Sequence, residues 1–229
     1  MDRPVDASLQ TSAMTGSMAK PRFSILLGGT LGATARLCAQ TARTRVIAAD
    51  SGMFHAANLG LTAELWVGDF DSAPASLQSQ YGTTPREIYR ADKDKTDGEI
   101  ALDAALLRGA RDVIFVGALG GQTDHAMGNL ALMLALARRG VPCFASSGSE
   151  EAYPLLPGRL ELDVPPGSRV SIIALADLGG LDITGVRWPL RQARVAAGST
   201  QTLSNVATGR VGVGLASGEG LVFAYPTGG

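Results

Sequence analysis

The chain has 229 residues, of which 45% are hydrophobic and only 5% aromatic, so it can bury a core built mainly from aliphatic side chains. Its formal net charge of −1, without a basic run, argues against nucleic acid or an acidic membrane surface as the main partner. No apolar run reaches the ~18 residues that cross a bilayer, and two cysteines in apolar stretches favour buried thiols in a cytoplasmic protein. Residues 1–20 lack the apolar segment of a secretory signal and are predicted to be a flexible tail.

Residues 21–150 alternate short apolar runs with runs that are typical of helices. Strands are predicted over residues 23–28, 45–50, 64–68, 112–117 and 141–146. Helices are predicted between them, over residues 31–41, 53–58, 96–108 and 123–139. This βαβα alternation predicts an N-terminal three-layer α/β domain with a mostly parallel sheet.

The pattern changes after residue 150. Residues 151–158 carry two prolines and a glycine and are predicted to be a linker. Six short strands are then predicted over residues 159–164, 169–175, 181–186, 200–204, 210–215 and 221–225. Glycine-rich turns separate them and no helical period appears, so residues 151–229 are predicted to form a C-terminal all-β sandwich or barrel domain.

Three aspartates fall at or just beyond predicted strand ends: Asp50, Asp69 and Asp71. Ligands of open parallel sheets bind outside the carboxyl ends of the strands, so a site is expected there. Clustered carboxylates repel one another unless a cation compensates, and Mg²⁺ prefers such hard oxygen ligands. The alternative for each single aspartate is ordinary service in a turn or helix cap.

A dense run of alternating charge precedes the predicted helix at residue 96. Thr96 and Glu99 fit a capping box, and Asp97 falls in the first helical turn, where backbone N–H groups favour phosphate. Lys93 or Lys95 could neutralise charge on a transferring group. A solvated loop before a capped helix is the alternative.

A glycine pair, Gly120-Gly121, precedes Gln122 and the predicted helix that carries Asp124 and His125. Glycines before a helix suit a nucleotide or phosphate, although a structural role for His125 stays open. In the C-terminal region, Trp188 follows a predicted strand and is either a core residue or a platform for a flat heteroaromatic ligand. The chain has no G-x-x-x-x-G-K-[ST] motif, and Gly28–Gly32 lacks the dinucleotide-binding spacing.

Taken together, the motifs resemble the thiamine pyrophosphokinase family. The resemblance extends over about residues 23–225, and its elements stand in the family's order. They are Ala49-Asp50-Ser51-Gly52, Gly68-Asp69-Phe70-Asp71-Ser72, Lys93-Asp94-Lys95-Thr96-Asp97, Gly120-Gly121-Gln122-Thr123-Asp124-His125 with Asn129-Leu130, then Trp188 and Ser204-Asn205.

The resemblance implies a homodimeric enzyme that transfers pyrophosphate from ATP to thiamine with Mg²⁺. It implies catalytic and metal-binding roles for Asp69, Asp71 and Asp97. The positions implied for the nucleotide and its phosphates are Asp50, Ser51, Gly52, Ser72, Lys95, Thr96, Gly121, Gln122, Asp124 and His125, with Asp124 touching either thiamine or nucleotide. The positions implied for thiamine are Trp188, Ser204 and Asn205, at the subunit interface.

Two positions depart from the family's pattern. Ser51 stands where the family usually has a second glycine, and Gln122 stands where it usually has arginine. The loss of that cation is expected to weaken phosphate binding unless a nearby lysine substitutes for it. Two alternatives therefore stay open: pyrophosphate transfer to another alcohol, such as a hydroxymethylpterin, and a non-catalytic sensor of thiamine or nucleotide.

Overall fold

The computed structural model describes residues 21–70, 73–89 and 94–227, and the predicted tail over residues 1–20 lies outside them. Within the described ranges the chain forms thirteen β-strands and five α-helices. No helix in these ranges is long and apolar enough to span a membrane.

The N-terminal part contains six parallel strands: β1 (Arg22–Leu26), β2 (Arg45–Ala49), β3 (Leu65–Gly68), β4 (Arg86–Ile88), β5 (Asp112–Val116) and β6 (Cys143–Ser146). Its helices are α1 (Ala35–Thr41), α2 (Phe54–Asn58), α3 (Ala75–Gln80), α4 (Asp97–Leu107) and α5 (Thr123–Arg138). The predicted strands and helices of this region are confirmed. Sequence patterns missed α3 and β4, because α3 buries only Leu77 and β4 is a three-residue edge strand without a buried side chain.

Helices cover both faces of these strands, because successive strand residues point to opposite sides. Phe23, Ile25 and Phe115 are fully buried on the face that packs against α4 and α5. Leu26 and Trp66 are fully buried on the opposite face, which packs against α1, α2 and α3. This is the predicted α/β layering, and it explains why the strand sequences are almost continuously apolar.

The order of the parallel strands is β6-β5-β1-β2-β3-β4. The chain builds outward from β1 to β4 and then crosses back to place β5 on the other side of β1. The connections after β1 and β5 therefore leave in opposite directions. Such a switch point opens a crevice at the carboxyl ends of the two strands, where ligands of open α/β sheets bind.

The C-terminal part consists of antiparallel strands: β7 (Glu151–Leu155), β8 (Gly158–Leu162), β9 (Arg169–Ala174), β10 (Leu178–Val186), β11 (Leu190–Val195), β12 (Asn205–Leu215) and β13 (Gly220–Tyr225). These strands enclose an apolar cluster of their own, which includes Ile172, Leu181 and Val213. The predicted all-β character is confirmed, although β11 was missed.

Two predictions for this region are wrong. The predicted linker at residues 151–158 contains β7, which pairs with β6 on one side and β13 on the other. The antiparallel strands thereby continue the parallel sheet without a break. Residues 200–204 are turns before β12 rather than a strand. Pro154 is tolerated in β7 because the pairing with β6 ends at Ala152, so that at Pro154 the strand has a partner on one side only.

Both cysteines are free thiols, as predicted. Cys143 donates its S–H to the carbonyl of Met133 at 3.3 Å. Burial raises the pKa of this thiol to about 12, so it stays protonated at neutral pH.

A buried carboxylate joins the first residue of β7 to α1. Glu151 is fully buried and accepts two hydrogen bonds from Arg36, at 2.7 and 3.0 Å. Gln40 and Tyr153 donate to the same carboxylate at 2.7 and 2.5 Å. Burial alone would raise the pKa of Glu151, but the donors outweigh it and hold the pKa below its ordinary value.

We expect Glu151→Gln to lower the free energy of unfolding by about 3 kcal/mol, because it leaves buried donors facing an uncharged group. Glu161→Gln is the matched control, since Glu161 also pairs with two arginines but is 36% exposed, so its loss is expected to change the free energy of unfolding far less. Urea unfolding of both variants measures the difference. An equal, small loss in both would contradict the argument.

The depressed pKa of Glu151 also predicts how the effect of Glu151→Gln depends on pH. A depressed carboxyl pKa contributes stability that is fully present above the unfolded pKa, near 4.5, and is lost as the pH falls through the folded value. The gap in unfolding free energy between wild type and Glu151→Gln is therefore expected to be constant at neutral pH and to narrow below about pH 4.5.

Candidate active site

A cleft of about 910 Å³ lies at the carboxyl ends of the parallel strands. Its size suits a nucleotide-sized ligand, since small-molecule sites commonly measure about 300–1,000 Å³. Ten of the predicted site residues line it: Asp50, Ser51, Asp69, Lys95, Thr96, Asp97, Gly121, Gln122, Asp124 and His125. Four separate stretches of sequence therefore meet at one surface.

The floor of the cleft is formed by main chain of the two segments that follow β1 and β5, which lie close to each other. The N–H of Gly29 donates to the carbonyl of Gly117 at 3.0 Å. A Cβ on Gly29 would lie 2.4 Å from that carbonyl oxygen and 3.0 Å from the carbonyl oxygen of Gly120. Gly117 has φ of +74°, and a Cβ there would lie 2.4 Å from the carbonyl oxygen of Leu27. Only glycine at both positions permits this approach.

His55 supports this floor from beneath. Its Nε2 lies 2.9 Å from the carbonyl oxygen of Gly29, so that nitrogen carries a proton and donates. Burial lowers the pKa of His55, although contacts with the carbonyls of Gly29 and Leu27 oppose the shift. At neutral pH the ring is therefore a neutral donor that fixes one peptide of the glycine turn.

Two residues at the strand ends have strained backbones. Asp50 has φ of +42° and Phe70 has φ of +64°, a region that non-glycine residues rarely adopt. Trp66 holds both: its indole N–H donates to the carbonyl of Asp50 at 2.8 Å, and its ring packs edge-on against Phe70 with centroids 4.8 Å apart. Strain of about 1–3 kcal/mol per residue persists only where surrounding contacts fix it, and it concentrates at functional sites.

The N-termini of α4 and α5 both face the cleft. Thr96 caps α4 by accepting from the N–H of Glu99 at 3.3 Å, which is one of the two hydrogen bonds of the predicted capping box. Gln122 is the N-cap of α5, and its side chain makes no capping hydrogen bond. Backbone N–H groups and the positive ends of two helix dipoles therefore point towards one space, which favours a bound anion.

Carboxylates outnumber cations among the described residues that line the cleft. The acidic side chains are Asp50, Asp69, Asp97, Glu99 and Asp124. Lys95 is the single lysine or arginine in this lining, and its Nζ lies 2.6 Å from Asp103 and 3.3 Å from Glu99. These carboxylates hold the pKa of Lys95 above its ordinary value. Lys95 is thus directed to α4 in this structure.

Several predicted positions lie elsewhere or outside the description. Gly52 is buried behind the cleft, where a Cβ would lie 2.2 Å from the carbonyl oxygen of Leu26. Asp71, Ser72 and Lys93 fall outside the described residues. Among the residues that are described, no three acidic, histidine or cysteine side chains form a group that could hold a metal by themselves. The magnesium set of Asp69, Asp71 and Asp97 stays a prediction.

Trp188, Ser204 and Asn205 form a separate group in the antiparallel region and do not line the cleft. Trp188 is 56% exposed, so the alternative of a core tryptophan is wrong. Asn205 contacts the main chain of Trp188 directly, and Ser204 adopts φ of +60° beside it.

Several cleft residues were not among the predicted site positions, namely Gly28, Gly29, Gly117 and Gly128. The first two were set aside because their spacing does not fit a dinucleotide fingerprint. A stronger signal was available, since a glycine pair directly follows the strand that becomes central in the sheet.

The family resemblance implies ATP with Mg²⁺ as the ligand of this cleft, and we expect Gly29→Ala to weaken its binding by about 100-fold, since a shift of ~1 Å at a preformed site has effects of that size. The added Cβ cannot avoid the Gly117 carbonyl without moving main chain. Gly209→Ala is the control, because a Cβ on Gly209 meets nothing within 4 Å. Titration calorimetry of the two variants tests this, and equal affinities would refute it.

Comparisons with known proteins agree with this geometry. The family described as thiamin pyrophosphokinase, catalytic domain, matches residues 37–145. The thiamine pyrophosphokinase of Bacillus subtilis (strain 168) is 27% identical over 163 residues, which are 69% of this chain and 76% of that protein.

Solved structures extend the similarity to most of the fold. Thiamin pyrophosphokinase from Geobacillus thermodenitrificans is 27% identical with a TM-score of 0.77, over 90% of this chain and 98% of that one. The structure of thiamine pyrophosphokinase from Bacillus subtilis has a TM-score of 0.80 at 24% identity, and the match covers 90% of this chain and 99% of that one. The strand-end aspartates and the α5 N-terminus fall within the matched span of the family's catalytic domain. The chain is therefore similar to thiamine pyrophosphokinases both in the sequence of the catalytic domain and in its fold.

Proposed function

We propose that this protein transfers pyrophosphate from ATP to thiamine, giving thiamine diphosphate and AMP. The observation that carries the proposal is the convergence of the family's acidic and glycine motifs on one cleft at the switch point of the sheet. Similarity to thiamine pyrophosphokinases suggests the substrates, and the cleft offers a place where a cation can bring anionic phosphates and carboxylates together.

ATP phosphates fit the part of the cleft formed by main chain. The turns at Gly29 and Gly117 leave no room for side chains, so phosphate oxygens can approach the backbone closely. The N-termini of α4 and α5 add N–H donors and dipoles of the favourable sign. The side chains of Ser51, Thr96 and Gln122 supply further polar groups along the same wall.

The donor chemistry of the cleft fits Mg²⁺. The described lining holds five carboxylates, while Lys95 is occupied by α4. A polyphosphate would be repelled there unless a divalent cation bridged it to the protein. We assign the cation to Asp69, Asp71 and Asp97, with Asp50 beside them. Bound Mg²⁺ would neutralise phosphate charge and bring the reacting groups together.

In the reaction, the hydroxyl oxygen of thiamine attacks the β-phosphorus of ATP, and the bond from that phosphorus to the α–β bridging oxygen breaks. AMP leaves with that oxygen, and a cleft aspartate accepts the hydroxyl proton. The protein's main contribution is positioning, since phosphoryl-type transfer needs aligned groups and little covalent chemistry from the enzyme. The rigid backbone at Asp50 and Phe70 serves this purpose.

We also propose a division of labour along the chain. Residues 21–150 form the catalytic ATP-binding domain, and residues 151–229 form a β-sandwich domain that supplies Trp188 to thiamine, with Ser204 and Asn205 beside it. Because Trp188 lies apart from the cleft of its own chain, a homodimer in which it reaches the partner's cleft is the proposed working form. Two free thiols accord with the cytoplasm as the proposed compartment.

A non-catalytic sensor is the second candidate. It is favoured by Gln122, which is uncharged where the family usually has arginine, and by the engagement of Lys95 with Asp103. The two functions are separated by incubating the purified protein with ATP, Mg²⁺ and thiamine. Equal yields of AMP and thiamine diphosphate support the enzyme, whereas thiamine binding without AMP release supports the sensor.

We expect Asp97→Asn to lower kcat by about 100-fold or more, because one carboxylate that stabilises charge in the transition state is lost. Asp71→Asn is expected to lower it by orders of magnitude as well. Asp163→Asn, an exposed aspartate of the antiparallel region, is the control and should keep full turnover. Near wild-type kcat in Asp97→Asn and Asp71→Asn, with the fold intact by circular dichroism, would exclude this metal site.

We expect Gln122→Arg to lower the KM for ATP by about tenfold, the size of one charge-assisted hydrogen bond. The new guanidinium would stand at the N-cap of α5, on the wall of an acidic cleft. Gln80→Arg, at an exposed position of α3 outside the cleft lining, controls for the added charge. An unchanged KM would mean that this position does not touch the phosphates.

A further inference from the structure

Trp188 is a large aromatic side chain that the fold leaves in solvent. It follows β10 by two residues and is 56% exposed, with the guanidinium of Arg187 5.4 Å from its ring centre. An exposed ring gains little from burial in its own chain. Its orientation therefore depends on what holds its main chain.

Asn205 holds that main chain from both sides. Its Oδ1 accepts from the N–H of Trp188 at 3.1 Å, and its Nδ2 donates to the carbonyl of Trp188 at 2.7 Å. Oδ1 also accepts from the N–H of Val206 at 2.9 Å. An amide oxygen has two lone pairs, so both are used, and a single N–H of the side chain is left. Asn205 thus has little capacity for a direct contact with a ligand.

These contacts extend the ladder between β10 and β12 beyond its regular pairs. The N–H of Arg187 donates to the carbonyl of Val206 at 2.8 Å, and one residue further the side chain of Asn205 replaces the missing strand partner. An asparagine can do this because it offers a donor and an acceptor in one plane. Aspartate lacks the donor, and serine is too short to reach both groups.

Asn205 is in turn anchored to β9. It pairs with Val170 in the sheet, and the N–H of the preceding Ser204 donates to the Ser171 hydroxyl at 2.9 Å. Thr202 donates to the carbonyl of Ile172 at 2.7 Å from a buried position. The turn that carries Asn205 is therefore fixed to the neighbouring strand on both sides.

We infer that Asn205 is a positioning residue, which locks the peptide of Trp188 so that the indole presents a fixed face to a flat heteroaromatic ligand. Asn205 acts through Trp188 and does not itself bind the ligand, in contrast to the direct contact that the family resemblance implies. The thiamine part of this inference rests on the proposed function, whereas the lock on Trp188 does not.

The lock is tested by the fluorescence of Trp188 in the full chain. The protein has two tryptophans, and Trp66 is fully buried, so subtracting the signal of a Trp188→Phe variant isolates Trp188. We expect Asn205→Ala to increase the nanosecond depolarisation of Trp188. The control is Asp182→Ala, since Asp182 accepts from the N–H of Gln192 at 2.9 Å on the adjoining strands but does not hold Trp188.

Steady-state kinetics then test the consequence for thiamine. We expect Asn205→Ala to raise the KM for thiamine by about tenfold or more while the KM for ATP stays unchanged. Combining it with Trp188→Ala should add no further loss, because both changes remove the same platform. If Asn205→Ala does not fold, Asn205→Ser serves in its place.

Each result decides one part of the inference. Depolarisation equal to wild type in the Asn205 variants overturns the lock, whatever thiamine does. Greater mobility with an unchanged thiamine KM, where Trp188→Ala raises that KM, overturns the positioning role. If Trp188→Ala also leaves the thiamine KM unchanged, the proposed stacking of thiamine fails, and the fluorescence result still decides the lock.

Discussion

The close approach of Gly29 to Gly117 is the contact on which the cleft depends. It joins the connections that leave β1 and β5, the two neighbouring strands between which the strand order reverses. The main chains lie so near one another that even a methyl group on Gly29 would collide with a carbonyl oxygen. The floor of the cleft therefore consists of main chain, and the charged side chains of the cleft lie on its walls.

The walls keep their shape because buried side chains fix strained or isolated segments. Trp66 holds the carbonyl of Asp50 and packs against Phe70, so one buried indole supports two left-handed residues at the ends of β2 and β3. His55 likewise fixes the Gly29 peptide by donating to its carbonyl oxygen. These residues touch the cleft from behind, and their value lies in the rigidity they give to its surface.

The charge of the cleft and the place of Trp188 complement each other in the proposed reaction. The acidic wall suits a polyphosphate that arrives with a divalent cation, whereas the exposed indole suits an aromatic ring. One chain keeps these two features apart. The buried Glu151 and Arg36 pair, at the junction of α1 and β7, fixes the relation between the parallel and antiparallel parts of the sheet.

Much of the fold and of the candidate site could be predicted from local pattern. Runs such as residues 112–117 identify a strand because burial on both faces requires continuous apolar sequence. Thr96 and Glu99 identify a helix start because the capping hydrogen bond is local. Local pattern failed at β7, where Pro154 and the flanking turns suggested a linker. Pairing with the preceding strand β6 and with the distant strand β13 overrides the propensity of such a short segment.

The sequence by itself determined the α/β and all-β character of the two parts, the acidic strand ends and the resemblance to thiamine pyrophosphokinases. Each of these features depends on residue types that lie close together in the sequence. Only the tertiary structure decided that Gly29 belongs to the cleft, that Asn205 holds Trp188 and that Lys95 is directed to Asp103. Those relations depend on strand order and on the direction of single side chains, which are set by long-range packing and leave no periodic mark in the chain.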